Sequence, residues 1–320
     1  MTFAIGNDQQ HQPTEAVADQ RILVRDDHGG QGLLLCHASR PLDMPGDGIE
    51  RLLIVVHGAL RDSGRCLANA QAAAGDQERS TLIVAPQLLA DADLVARADL
   101  PGGALYWQVE GWKGGEAALG PEPVSSFAAM DHLLLELTGP GRPPGARPLN
   151  VVIFGSSAGG QYVNRYAAVG RAPDALAERG IAVRFVVANP STYLYFDRAR
   201  PAAVPGGAPV NQWRYGFDNA PAYVGVTARQ SLERYLSRDV TIVLGSDDRD
   251  GAALLLEVSA AAMAQGANRL ERGINYDRHV RGLARAAGLT AGHRLIQLPG
   301  VGHASADVLA APQTREIMFG

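Results

Sequence analysis

The chain reads as an α/β protein with a doubly wound, mostly parallel sheet of about eight strands. Three observations predict it. Short apolar runs alternate with Ala-rich, helix-like segments from residue 51 onward. Several runs, such as Leu52-Leu53-Ile54-Val55-Val56 and Val240-Thr241-Ile242-Val243-Leu244, are continuously apolar, as central strands covered on both faces must be. Two further runs precede the first helix-like segment, which predicts a short antiparallel start.

In order, the predicted strands are 21–25, 31–36, 51–56, 81–85, 150–154, 183–188, 240–244 and 293–298. Helices are expected at about 64–75, 124–138, 158–169, 252–265 and 304–311. Gly/Pro-rich stretches at 139–148 and 201–209 read as surface connections. Residues 1–20 are polar and aperiodic and read as a flexible tail. The remaining 21–320 form a single domain.

Segment 190–235 breaks the rhythm. It holds 8 of the 19 Phe, Trp and Tyr residues of the chain and reads as a cap over the carboxyl ends of the strands, where α/β sheets bind ligands. Its rings either line a pocket, with Tyr193, Tyr195 and Trp213 as candidates, or form the insertion's own small core. Trp107, in an aromatic, Gly-rich stretch after the 81–85 strand, is a further candidate, either bordering the pocket or filling a gap.

Composition narrows the function classes. With 46% hydrophobic residues in 320, one large core is affordable, and a net charge of −4 gives no basic field for nucleic acid or an anionic membrane. No apolar stretch approaches the ~20 residues that span a bilayer. The first residues lack the basic and apolar regions of a secretory signal, and only Cys36 and Cys66 are present, so a cytoplasmic location is expected. Neither a metal-binding His-Glu-x-x-His or paired-Cys pattern nor a phosphate or dinucleotide loop is visible, so no metal and no cofactor are expected. The expected partner is a small molecule, with self-association left open.

The chemistry is concentrated at Gly155-Ser156-Ser157-Ala158-Gly159, where an apolar run meets a helix-like segment. With 37 Gly and 13 Ser in the chain, chance alone would give about 0.17 such pentapeptides, so the pattern carries weight only through its context. A strand turning sharply into a helix exposes the central serine, Ser157, to a base and a carbonyl. Ser156, one residue early, should point away from the bend. Acyl transfer also needs a base, a group orienting that base and donors for the oxyanion. Candidates stand after other strands: Gly245-Ser246-Asp247-Asp248-Arg249-Asp250 after 240–244, and Gly302-His303 after 293–298.

The chain order Ser, Asp, His, together with Val56-His57-Gly58-Ala59 after the 51–56 strand, resembles the α/β-hydrolase superfamily over about residues 21–318, nearest its esterase-like branches. The resemblance implies an α/β-hydrolase fold with a cap and a triad of Ser157, Asp248 and His303. Asp248 fits the usual Gly-x-x-Asp placement, while Asp250 and Asp247 stay open as the acid. It further implies an oxyanion hole from the backbone N–H groups of Ala59 and Ala158, with His57 a structural residue of the turn. The expected activity is cofactor-independent cleavage of a carboxylic ester. Thioester, amide, lactone or peptide cleavage on the same triad is the nearest alternative, and a catalytically dead ligand-binding scaffold the more distant one. The run from Ala261 to Gly273 stands out as a signature without assignable chemistry.

Overall fold

Residues 52 to 56 alternate between two cores, which is why their run is apolar throughout. Leu52, Ile54 and Val56 enter one buried cluster, and Leu53 and Val55 enter the other, on the opposite face of the sheet. In the computed structural model, residues 9–141, 148, 150–203 and 207–320 are described. The chain runs β1 (Gln20–Arg25), β2 (Gln31–Ala38), β3 (Arg51–Val56), α1 (Ser63–Ala74), β4 (Thr81–Gln87), β5 (Leu89–Ala90) and α2 (Asp91–Ala96). It continues through β6 (Tyr106–Trp107), α3 (Ser126–Thr138), β7 (Asn150–Ser156), α4 (Ala158–Val169), α5 (Ala172–Glu178), β8 (Ala182–Ala188) and α6 (Ala228–Ser237). Last come β9 (Asp239–Gly245), α7 (Ala260–Met263), α8 (Arg269–Ala286), β10 (Arg294–Leu298), α9 (Ser305–Ala310) and α10 (Pro312–Phe319).

One eight-stranded sheet has the order β1-β2-β4-β3-β7-β8-β9-β10. The pairs β1/β2 and β2/β4 are antiparallel and the rest parallel, as the sequence predicts. Residues of α3 and α4 pack on one face, while residues of α1, α9 and α10 pack on the other. Each predicted strand is present, with ends shifted by one or two residues.

The helix expected at 252–265 is corrected. Only Ala260–Met263 is helical; Ser259 caps it by accepting from Ala262 N–H, and Leu255 stands at φ +61°. The Ala-rich stretch loses to tertiary anchors, since Ser191 Oγ donates to the Leu255 carbonyl at 3.4 Å and Arg269 to that of Leu254 at 3.4 Å. Helix formation resumes only after Asn268, whose side chain accepts the Glu271 N–H, and α8 then runs 18 residues.

The predicted cap contains no strand or α-helix among its described residues before α6, which packs on α4. The N-terminal segment is described from residue 9, and Thr14 and Ala18 are held by Asp93 and Gln87. The remainder of the expected tail, and parts of the loops at 139–148 and 201–209, lie outside the described residues. A hollow of about 350 Å³ between Ala74, Gln77, Arg315 and Phe319 lies toward the amino ends of the strands, where Arg51 at the start of β3 donates to the Phe319 carbonyl. Ser157, Asp248 and His303 follow β7, β9 and β10 at the carboxyl ends.

Candidate active site

Three glycines allow the turn from β7 into α4. A Cβ on Gly155 would lie 2.2 Å from the Gly159 carbonyl oxygen, one on Gly159 2.2 Å from that of Val56, and one on Gly160 2.5 Å from that of Ala188. Strand and helix therefore meet backbone to backbone, and Ser157 is forced to φ 58°, ψ −119°. Such a conformation costs of order 1–3 kcal/mol and persists only where its surroundings over-determine it. Here Ser157 N–H donates to Ala188 O at 3.0 Å, and Ser157 O accepts from Gln161 N–H at 3.0 Å. Ser157 is half-buried, whereas Ser156 is 4% exposed with its hydroxyl shut inside.

His303 Nδ1 lies 2.7 Å from Asp248 Oδ2. Asp248 is buried, and its other oxygen faces the fully buried Arg269, with Nη1 3.5 Å from Oδ1. The two neighbouring aspartates are exposed and occupied locally: Asp247 accepts from Ser246 Oγ and Asp250 caps the Ala252 N–H. Among the three, only Asp248 meets the imidazole.

The loops carrying this pair are locked together. Asp247 N–H donates to Val301 O at 2.9 Å, Ser246 N–H to Leu298 O at 3.0 Å, and Gly300 N–H to Ser246 Oγ at 2.8 Å. A Cβ on Gly245 would sit 2.5 Å from the carbonyl oxygens of both Val301 and Gly302, so glycine is a condition of that approach. Asn189, at φ 42° just past β8, bridges the same two loops with its side chain. It is fully buried, and nothing in the sequence around it marks it as a bridging residue.

After β3, Arg61 N–H closes a turn onto Gly58 O at 3.1 Å. Among the described residues the Ala59 N–H has no acceptor, and Ala158 opens α4, where the first N–H has no partner within the helix. Both expected oxyanion donors are thus unspent. His57 Nε2 accepts the Leu88 N–H at 2.9 Å, and its Nδ1 faces Gly58 O at 2.9 Å, which makes Nδ1 the protonated nitrogen. Burial pushes this imidazole down to about 4, so it is a neutral brace of the turn.

The aromatic candidates fall on the side of packing. Trp107, Tyr193 and Tyr195 have no exposure and Trp213 has 7%. Trp107 Nε1 donates to Val124 O, Trp213 Nε1 to Gly114 O, and Tyr193 stacks on Tyr276 at 4.5 Å. Their size and apolar faces are used inside the core, so none opens onto a cleft.

Charge fastens the 190–235 segment instead. Glu110 is paired with Lys113 and with Arg214, the latter at 2.6 Å. Burial would raise the Glu110 carboxyl, yet these two cations hold it below its ordinary value. Arg165 on α4, fully buried and pushed down to about 10 by that burial, donates to the carbonyls of Lys113 and Arg214, each at 3.1 Å.

The unassigned run from Ala261 to Gly273 also acquires a role. Gln265 clamps the Tyr193 backbone with both ends of its amide, Arg269 backs Asp248, and Arg272 donates to Ser191 O at 2.6 Å. Gly273 admits the Leu244 side chain, 2.5 Å from where a Cβ would stand. Among the described residues no group of three or more His, Cys, Asp or Glu could hold a metal, and no helix is long and apolar enough to cross a membrane.

A mostly parallel eight-stranded sheet with a strained serine at one carboxyl-end loop and a His–Asp pair at two others has the α/β-hydrolase fold. No protein-family model matches the chain, and no curated protein matches its sequence. Among solved structures it is similar to poly(aspartic acid) hydrolase-1 from Sphingomonas sp. KT-1, with TM-score 0.63 and 22% identity over 97% of this chain and 100% of that one. It is likewise similar to LpqC, a poly(3-hydroxybutyrate) depolymerase from Bordetella parapertussis, with TM-score 0.62 and 23% identity over 91% and 86%. At such identities the likeness is one of fold.

Proposed function

We propose that the protein is a cofactor-independent serine hydrolase that cleaves a carboxylic ester through an acyl-enzyme. The observation that carries this reading is the 2.7 Å contact between His303 Nδ1 and buried Asp248, on loops at the same sheet end as strained Ser157. With Nδ1 bound to the carboxylate, Nε2 is the nitrogen that takes a proton. Ser157 Oγ attacks the substrate carbonyl as its proton moves to His303. The tetrahedral oxygen accepts from the N–H groups of Ala59 and Ala158, and His303 returns the proton to the departing alcohol. Water, deprotonated by the same imidazole, then releases the acyl group.

Ser157→Ala tests this directly. Turnover of p-nitrophenyl esters should fall by about four or more orders of magnitude, and a fluorophosphonate should label the native enzyme at Ser157 and leave the variant unlabelled. Native turnover in Ser157→Ala would end the reading. Matched ester, thioester and amide substrates, with poly(3-hydroxybutyrate) and poly(aspartic acid) added because the two structural neighbours bear those names, then assign the bond that is cut.

A further inference from the structure

We propose that Arg61 is a positioning residue for the oxyanion turn, acting with Asp93 and residues 10–14, so that the start of the chain belongs to the active-site support. The inference rests on the serine-hydrolase reading, in which the Ala59 N–H receives the developing negative charge.

Arg61 has no exposed surface and stands at φ +58°, a left-handed conformation that is strained for an arginine. A guanidinium offers five N–H donors in a fixed fork, and here each meets an oxygen. Nε donates to Asp93 Oδ2 at 2.7 Å, and Nη2 to Asp93 Oδ1 at 3.1 Å and to Gln12 O. Nη1 donates to Ala59 O at 2.9 Å and to Gln10 O at 2.8 Å. Asp93 is equally saturated, because it also accepts the N–H groups of Thr14 and Ala90, both at 2.7 Å. Gln87 closes the cluster, donating to the Arg61 and Ala16 carbonyls and accepting from the Ala18 N–H.

The geometry bears on catalysis through peptide planes. The Ala59 N–H shares a rigid plane with the Gly58 carbonyl. That carbonyl is fixed by the Arg61 N–H at 3.1 Å and by His57 Nδ1 at 2.9 Å. The next plane carries the Ala59 carbonyl, which the Arg61 side chain fixes. One residue thus immobilises both planes around the donor, with its main chain on one side and its side chain on the other. A buried ion pair adds little net stability over apolar packing, so a saturated one at this turn is better explained by what it orients. An oxyanion donor acts through preorganisation, and its displacement is felt in the transition state rather than in substrate binding.

The test uses Arg61→Lys, which keeps a cation beside Asp93 but cannot reach the Ala59 carbonyl and the segment carbonyls together, and Asp93→Asn, which keeps the shape of its partner. Each folded variant is assayed per active site, titrated with a fluorophosphonate. We expect kcat on an activated ester to fall roughly 10- to 100-fold with KM within about two-fold, and affinity for a trifluoromethyl ketone analogue to fall by the same factor. A purely structural role would lower the thermal midpoint and the titratable fraction but leave kcat per site unchanged, and that result in either variant overturns the inference. Should one variant fail to fold, the other decides. A native enzyme that takes no label at Ser157 and turns over no ester would overturn the hydrolase reading and this inference together.

Discussion

Asn189 Nδ2 donates to the carbonyl of Gly302 at 3.1 Å, one residue before His303, while its Oδ1 accepts the Gly245 N–H at 2.9 Å. A single amide therefore sets the spacing of the loops that bear His303 and Asp248. Asn189→Ala removes both bonds, and Asn189→Asp turns the donor into an acceptor facing a carbonyl. Misplacement of about 1 Å costs on the order of 100-fold in rate, so kcat should drop about 10- to 100-fold in Asn189→Ala and further in Asn189→Asp. Steady-state kinetics with KM within about two-fold of wild type check this.

Burial separates the three acidic candidates. Asp248→Asn should lower kcat/KM by about four orders of magnitude, because the imidazole loses its orienting carboxylate. Asp247→Asn and Asp250→Asn, whose carboxylates face Ser246 and the Ala252 N–H, should stay within about three-fold of the native rate. A large loss at either exposed position, with Asp248→Asn active, would move the acid.

The elbow makes a steric prediction. Gly159→Ala places a methyl 2.2 Å from the Val56 carbonyl, against backbone that cannot yield, whereas Gly302→Ala finds nothing within 4 Å. Urea unfolding should show Gly159→Ala destabilised by more than about 3 kcal/mol or insoluble. Gly302→Ala should lie within about 0.5 kcal/mol of wild type.

His57 makes a prediction about acid stability. Its folded value is pushed from 6.5 down to about 4 by burial, so in that window the unfolded chain binds a proton that the folded one refuses. Stability from this residue is complete above pH 6.5 and is lost as pH falls toward 4, a difference on the order of 3 kcal/mol. In His57→Gln, which keeps an acceptor for the Leu88 N–H, the slope of unfolding free energy between those values should flatten.

Legibility followed the range of the interaction. The strands could be read because two-sided burial writes itself into consecutive residues, and the elbow because its glycines stand together in one short pattern, although the carbonyls that demand Gly159 and Gly160, those of Val56 and Ala188, lie far along the chain. The order of the polar candidates picked out His303 and left the acid among three aspartates, of which the fold buries Asp248 and sets it against His303. The positioning residues left no local mark. Asn189 reaches a partner 113 positions away and Arg61 one 51 positions away, so their surroundings exist only in the folded chain. The helix expected at 252–265 failed for a related reason, since distant anchors from Ser191 and Arg269 outweighed alanine propensity. Aromatic content announced a special segment but could not tell which way Tyr193 and Trp213 would face.

Helix α8 touches three neighbourhoods along one rod: Arg269 at Asp248, Arg272 at Ser191 and Tyr276 under Tyr193, with Asp277 then binding His293 at the foot of β10. Any shift in its phase would disturb all of them at once, which makes it a poor place for selection to tinker. The adjoining stretch 252–259 has the opposite character. It is pinned by the carbonyls of Leu254 and Leu255, yet Leu254 and Val258 point their side chains outward, 51% and 52% exposed. Changes of these outward side chains leave the shared rod untouched, so this stretch is where relatives on the same scaffold should vary most freely.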